Sequence, residues 1–310
     1  MPPSEHVEVR IDLARIRANT QDVARRVGVP LLAVVKADAY GLGAARVAEA
    51  IADLVEGFCV FDLREAIDAD LGARIGKTIL ALGPPNSSNA QDYLAQRVRP
   101  AVSTADQAAA LCAARPILSI DTGMQRFACP PHQIDRVLRA GECDEAFTHA
   151  TRREHALRLA NITSDRMLRL HAAGSALLDD PLCRFDAVRP GIALYRGAVR
   201  VSSRLAEARD TAGPLGYSAV PAHRHGVILA GYAHGLRPGP CLVSGQPRRL
   251  LEVGMQSAYV ELGPDDKKGD AVILLGDGLS EDQVASQWQT TPHEALFHLC
   301  RLGHRLYDQP

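Results

Sequence analysis

The chain has no apolar run of about 18 residues, so no segment reads as a membrane-spanning helix. Its start, through Val9, lacks the charged-then-apolar pattern of a secretory leader, and a cytoplasmic protein is the expectation. Charge is nearly balanced, −1 over 310 residues, which gives no electrostatic footprint for nucleic acid or an anionic membrane. Seven cysteines are scattered, odd in number and free of C-x-x-C spacing. That argues against a disulfide framework or a zinc knuckle and suits small, mostly buried hydrophobes. There is no low-complexity tract, and no G-x-G-x-x-G follows the first apolar strand of the alternation described below. The length is ample for one large core, or for a large domain with a smaller one.

What is present is organised around residues 31–43. Leu31 to Val35 read as a buried strand that ends in Lys36, followed by a polar turn with Gly41 and Gly43. An amine emerging from an apolar wall is partly desolvated, which disfavours its charged form and makes it a better nucleophile. Taken singly, Lys36 also fits a lysine that snorkels out of a strand end.

Before this segment, residues 7–12 alternate apolar and polar, and Asp12 caps a helix through Val27. After it comes a rhythm of strand-like runs at 31–36, 57–62, 78–83, 99–103, 117–121, 145–150, 167–173 and 186–192. Most gaps between them carry a helical period, least convincingly 174–185. Alternating β and α units predict a parallel sheet, and eight of them predict a closed (β/α)8 TIM-type barrel. An open doubly wound sheet is the alternative, disfavoured by the missing glycine fingerprint. From about residue 200 the texture changes to short β-like runs at 226–230, 250–253, 258–262 and 271–275, with a helical pattern returning near 292–302. The expected organisation is a barrel over 10–200 and a smaller, mostly-β domain over 201–310 that recruits the N-terminal strand 1–9.

Barrel enzymes carry their chemistry at the carboxyl ends of the strands, which share one rim. Those ends supply Lys36, the turn Asp121 to Arg126, His149, Gly174-Ser175, and Arg189-Pro190-Gly191-Ile192. The loops after strands 7 and 8 commonly bind phosphate. Ser175, Gly191 and Ile192 there offer a hydroxyl and unhindered backbone N–H groups, though each alone fits plain turn chemistry. A lysine and a phosphate cradle on one rim suggest pyridoxal phosphate held as a Schiff base. Taken singly, His149 more often marks a structural histidine, Asp121 a turn or cap residue, and Arg126 and Arg189 solvated or carboxylate-paired side chains.

The motifs together resemble the alanine racemase family of pyridoxal-phosphate enzymes (fold type III). Ala33-Val-Val-Lys-Ala-Asp-Ala-Tyr-Gly-Leu-Gly43 is similar to the family's cofactor-lysine signature, and Asp121-Thr-Gly-Met-Gln-Arg126 to its DTGMxR block. Phe147-Thr-His-Ala, His171-Ala-Ala-Gly-Ser, Val188 to Tyr195, Gly231-Tyr-Ala-His-Gly235, Gly254 to Tyr259 and Gly269 to Gly276 follow in family order. The resemblance implies that Lys36 binds the cofactor and serves as one proton-transfer base. It places Tyr40, Ser175, Gly191 and Ile192 at the phosphate, Arg189 at the pyridine nitrogen and His149 beside the ring. Arg126 and Ala258 would contact the substrate, and Tyr217 would be the second base, reaching across a head-to-tail homodimer. The implied activity is a two-base amino-acid racemase acting on a small-molecule amino acid not restricted to alanine. Decarboxylation, elimination or transamination on the same framework is the alternative, and a non-catalytic pyridoxal-phosphate-binding protein a further one.

The chain departs from the family in its substrate half. Ser119 stands where many members carry a carbamylated lysine that steadies the arginine equivalent to Arg126. Ala258-Tyr259 replaces Met-Asp, His234 replaces an acid, and Leu236 replaces an entrance tyrosine. His304 is the expected replacement for a tyrosine that often touches the phosphate. His298-Leu299-Cys300 has the spacing of the metal pair in barrel-type threonine aldolases, but residues two apart do not share a helix face, and no metal is expected.

Overall fold

Val7, Val9 and Ile11 alternate with Glu8, Arg10 and Asp12, and that period of two forms strand β1 (Ser4–Asp12). The structure is a computed structural model describing residues 3–308. Asp12 Oδ1 accepts the Arg15 N–H at 2.8 Å, capping the helix Leu13–Val27 as the sequence suggests.

The next eight strands are β2 (Leu32–Val34), β3 (Gly57–Val60), β4 (Thr78–Ala81) and β5 (Val98–Val102), then β6 (Ile117–Ser119), β7 (Glu145–Ala150), β8 (Arg169–Gly174) and β9 (Ala187–Arg189). They pair in parallel in that order. A bridge between Leu31 and Val188, and the Val34 N–H donated to Pro190 O at 2.9 Å, join the last strand to the first. The sheet is thus a closed barrel, the architecture that eight β/α units predict. Its strands are short and buried almost throughout, because helices cover one face and side chains fill the other. Phe58, Ile79 and Ile117 are fully buried in this core, each contributing about 1.5–3 kcal/mol relative to exposure. The gap 174–185 forms two short 3-10 turns, Ser175–Leu177 and Pro181–Cys183, in place of a helix.

The later strands are β10 (Val199–Arg204), β11 (Glu207–Asp210), β12 (Arg224–Ile228), β13 (Gly239–Val243), β14 (Gln246–Val253), β15 (Ala258–Glu261), β16 (Ala271–Leu275) and β17 (Gly303–Asp308). With β1 they make a nine-stranded sheet in the order β11-β12-β15-β14-β13-β16-β10-β1-β17. β1 runs antiparallel to β10 and parallel to β17. Contacts divide the chain into two units. One holds the barrel (Ile16–Ala39 and Gly43–Leu194); the other holds this sheet, with Tyr40–Leu42 and the chain from Tyr195 onward. Six cysteines are buried, Cys112 is half-buried and none is cross-linked. No helix among the described residues is long and apolar enough to cross a membrane.

Candidate active site

Lys36 stands two residues beyond the end of β2, after Val35, and its surroundings are cationic. Burial comes first in lowering its proton affinity, followed by Arg126, while Glu65 opposes them and Arg189 adds to the lowering. The chain then turns through Ala37, Asp38, Ala39 and Tyr40, all with positive φ. Four successive non-glycine residues in the left-handed region are strained, because each Cβ crowds the following carbonyl oxygen.

At the end of β9 the Arg189 guanidinium is buried and held by backbone oxygens. Its Nη2 donates to Thr148 O at 2.6 Å and Ala172 O at 3.2 Å, and its Nη1 to His171 O at 2.9 Å. Nη1 also meets His171 Nδ1. The Nε–H takes part in none of these bonds. Burial lowers this arginine to about 10, which leaves it protonated at neutral pH. An arginine can only donate, so His171 Nδ1 is the acceptor, and the proton of the neutral ring lies on Nε2. Nε2 faces Glu145 Oε1 at 3.1 Å, off the axis of a full hydrogen bond. Burial, then Arg189, lower His171 to about 4, so the ring is neutral. It stacks on Phe147 with centroids 5.4 Å apart. Burial raises Glu145, but His171, Arg99 and Arg169 more than offset it, and the carboxylate stays ionised.

His149, at the end of β7, is open to the barrel mouth yet ringed by protein. Desolvation, then Arg189, Arg126 and Lys36, hold it at about 4. The exposed Arg126 lies over the Phe127 ring at 4.4 Å, and Phe127 packs edge-on against Phe61. Ser119, where an anionic support was expected to be missing, donates its hydroxyl to Phe127 O at 3.5 Å. An aromatic face therefore backs this arginine. Asp121 is a turn residue, accepting N–H groups from Gly123 at 2.8 Å and Gln125 at 3.1 Å.

After β8, Ser175 Oγ accepts the N–H of Gly191 at 3.0 Å and of Ala193 at 3.2 Å. Gly191 N–H is thus shared with the Ser175 hydroxyl. Ile192 opens the short helix Ile192–Tyr195, and its N–H has no acceptor within that helix.

In the sheet unit, the Tyr40 ring lies 5.3 Å from Tyr195 and 5.8 Å from His293. His304 sits on β17 opposite Glu8. Burial pushes the Tyr40 hydroxyl up to about 12, so it stays protonated. Tyr217 is 94% exposed. Glu252 pins its backbone, accepting the N–H groups of Tyr217 and Ser218, each at 2.8 Å. Ala258 lies on β15 and is 1% exposed. His234 Nδ1 accepts the Gly231 N–H at 3.2 Å, the capping role a carboxylate could play. Cys300 is fully buried while His298 faces Glu294 and Arg237, so the two do not converge. Among the described residues no group of three or more His, Cys, Asp or Glu could hold a metal.

Glu65, Glu145, Phe127 and the role of His171 were not anticipated. Asp62-Leu-Arg-Glu65, an acid three residues after a capping residue, carried a readable signal for Glu65 alone.

A lysine of lowered proton affinity, a buried arginine with an uncommitted Nε–H, and a hydroxyl beside a helix-opening N–H suit pyridoxal phosphate: an amine for its aldehyde, a donor for its ring nitrogen, donors for its phosphate. The fold and site define a barrel-type pyridoxal-phosphate enzyme. Comparison with known proteins narrows this. The profile of the alanine racemase N-terminal domain matches residues 11–199. The alanine racemase of Neisseria meningitidis serogroup C is 29% identical, covering 95% of this chain and 97% of that protein. The biosynthetic alanine racemase of Escherichia coli K12 is 29% identical, covering 87% and 89%. The crystal structure of the biosynthetic alanine racemase from Pseudomonas aeruginosa superposes with a TM-score of 0.87 at 28% identity, covering all of both chains. The Bartonella henselae alanine racemase, solved with covalently bound pyridoxal phosphate, shares the fold with a TM-score of 0.86 at 24% identity, covering 98% of this chain and all of that one. The chain belongs to the alanine racemase family. It is a pyridoxal-phosphate-dependent isomerase of the racemase type.

Proposed function

We propose that the protein racemises small amino acids, not restricted to alanine, by a two-base transfer of the α-proton. Lys36 serves one face of the substrate and Tyr217 the other. The observation that carries this reading is the Lys36 amine, desolvated at the barrel rim and flanked by Arg126 and Arg189. Such an amine yields and accepts a proton nearer neutrality than a solvated lysine. When bound, the cofactor supplies an electron sink for the α-carbon.

The chain's own residues do the rest. Arg189, which cannot plausibly give up its proton, would face the pyridine nitrogen and would leave it unprotonated. That restrains wider carbanion chemistry and favours simple proton transfer. His149, neutral at about 4, packs beside the ring without adding charge. Ser175 and the Ile192 N–H would hold the phosphate, with Tyr40 and the Gly191 backbone in support. Arg126 binds the substrate carboxylate. With one base on each face, the α-proton can leave from one side and be returned from the other.

Tyr217 reaches the site of a second copy in a head-to-tail homodimer. Its near-complete exposure, with the backbone pinned by Glu252, supports that reading, since a side chain spent within its own chain would be covered. The aromatic backing of Arg126 supports a substrate range unlike that of an alanine-specific site. The enzyme would act in the cytoplasm, where free amino acids are drawn upon.

The test is a panel of amino acids incubated with the holoenzyme in deuterium oxide. Solvent deuterium should enter the α-carbon with loss of chirality for several small amino acids. Release of carbon dioxide, or exchange with full retention of configuration, would instead assign another outcome on the same site.

A further inference from the structure

The turn after Lys36 is clamped by one carboxylate. Ala37, Asp38, Ala39 and Tyr40 have φ of 53°, 55°, 52° and 58°. Some of the closure is internal. Ala39 N–H donates to Val35 O at 2.8 Å, Gly43 N–H to Asp38 O at 2.9 Å, and Ala44 N–H to Asp38 Oδ1 at 2.7 Å. The anchor from a neighbouring element is Glu65, third residue of the helix Leu63–Asp68. Its Oε1 accepts the Ala37 N–H at 2.8 Å and its Oε2 the Phe61 N–H at 2.7 Å. Asp62 Oδ1, the helix cap, accepts the Glu65 N–H at 3.1 Å and sets the side chain's root. One carboxylate thus ties the residue after Lys36 to the residue after β3, across two adjacent strands of the barrel rim.

Its charge also matters. The groups acting on the Lys36 amine are Arg126, Arg189, Glu65 and the buried Cys59 thiol, and the His149 ring in turn feels Lys36. Glu65 is the carboxylate in that set, and it opposes both arginines.

We propose that Glu65 is a positioning residue for Lys36: its carboxylate clamps the left-handed turn to the end of β3 and stands as the anionic counterpart of the amine. This rests on the reading of Lys36 as the cofactor lysine. Sequence reasoning alone would assign Glu65 to helix capping. The contact to Ala37 is what extends its reach to the site.

Glu65→Gln and Glu65→Ala holoenzymes test it. Gln keeps one oxygen acceptor but loses the charge and cannot accept both amides. Ala loses everything. The readouts are hydrogen exchange of the peptides spanning Ala37 and Phe61, and the pH midpoint of the bound cofactor's absorbance change. In Glu65→Gln the midpoint should fall by about one pH unit, because removing a nearby anion disfavours the protonated nitrogen. In Glu65→Ala the Ala37 amide should exchange at least about tenfold faster. A purely structural role would lower the stability of both variants and leave the midpoint in place. An unchanged midpoint in Glu65→Gln, with Lys36 labelled by borohydride reduction, overturns the inference. Should Glu65→Ala fail to fold, the Gln midpoint decides alone. Failure of the unaltered enzyme to carry label on Lys36 would overturn the underlying reading instead, so the two failures are distinct.

Discussion

The barrel and the nine-stranded sheet carry their functional groups in opposite ways. In the barrel, Arg189, His171 and Glu145 are buried and constrain one another through backbone oxygens and short contacts. In the sheet unit, Tyr217 stands almost wholly in solvent, and only its backbone is pinned. A buried polar group must be satisfied by its own chain, whereas an exposed one is left for whatever is brought to it. Arg189 and its neighbours are therefore over-determined within one chain, and the Tyr217 side chain is not. The same contrast separates Arg189, fixed by three carbonyls, from Arg126, which rests on one aromatic face.

The contrast can be broken at its strongest point first. Lys36→Ala should abolish turnover by at least about a thousandfold and remove the lysine-bound cofactor absorbance, with the barrel still folded by circular dichroism. Tyr217→Phe should lower turnover by about a hundredfold or more while leaving thermal stability within about 0.5 kcal/mol of the parent, since the side chain packs against nothing in its own chain. A Tyr217→Phe variant with full turnover would place the second base elsewhere.

The pH dependence sharpens the barrel side. His171 sits at about 4 when folded, against an unfolded value of about 6.5. Above the unfolded value both states are neutral and pH has no effect through this group. As pH falls below it, the unfolded chain takes a proton that the folded one refuses, so stability is lost from about 6.5 down to about 4. The loss through this fully buried ring is about 3 kcal/mol, read from denaturant midpoints across that range. A His171→Gln variant should show a flatter profile. The smallest effect belongs to Phe127→Ala. Losing the aromatic face under the exposed Arg126 should raise KM by roughly twofold to fivefold with kcat little changed, as a cation–π contact of about 0.5–1 kcal/mol implies. A fall in kcat at constant KM would mean that Arg126 acts elsewhere than at the substrate carboxylate.

The same division governs what could be read beforehand. All eight barrel strands lie within or beside the strand-like runs of the sequence, because parallel strands buried on both faces leave largely apolar stretches. In the sheet unit, β12, β14, β15 and β16 were legible, but β10, β11, β13 and β17 were not. β11 is Glu-Ala-Arg-Asp on an edge, with no apolar period at all. β13 begins Gly-Pro, which reads as a turn. At the site, Lys36, His149, Ser175 and Arg189 stood at strand ends where a barrel puts chemistry. Glu145 and Phe127 carried no such mark. Glu145 looks like the polar start of a strand and becomes informative only when His171 and Arg99 are seen around it. His293 escaped notice because the tyrosine it neighbours, Tyr40, is far from it in sequence.

The most direct measurement is borohydride reduction of the holoenzyme followed by peptide mass spectrometry. The chain holds four lysines, Lys36, Lys77, Lys267 and Lys268, so the label has few places to go. The account predicts a pyridoxyl adduct on Lys36 at near-stoichiometric yield. An unmodified Lys36, with cofactor lost or carried on Lys77, Lys267 or Lys268, would contradict it.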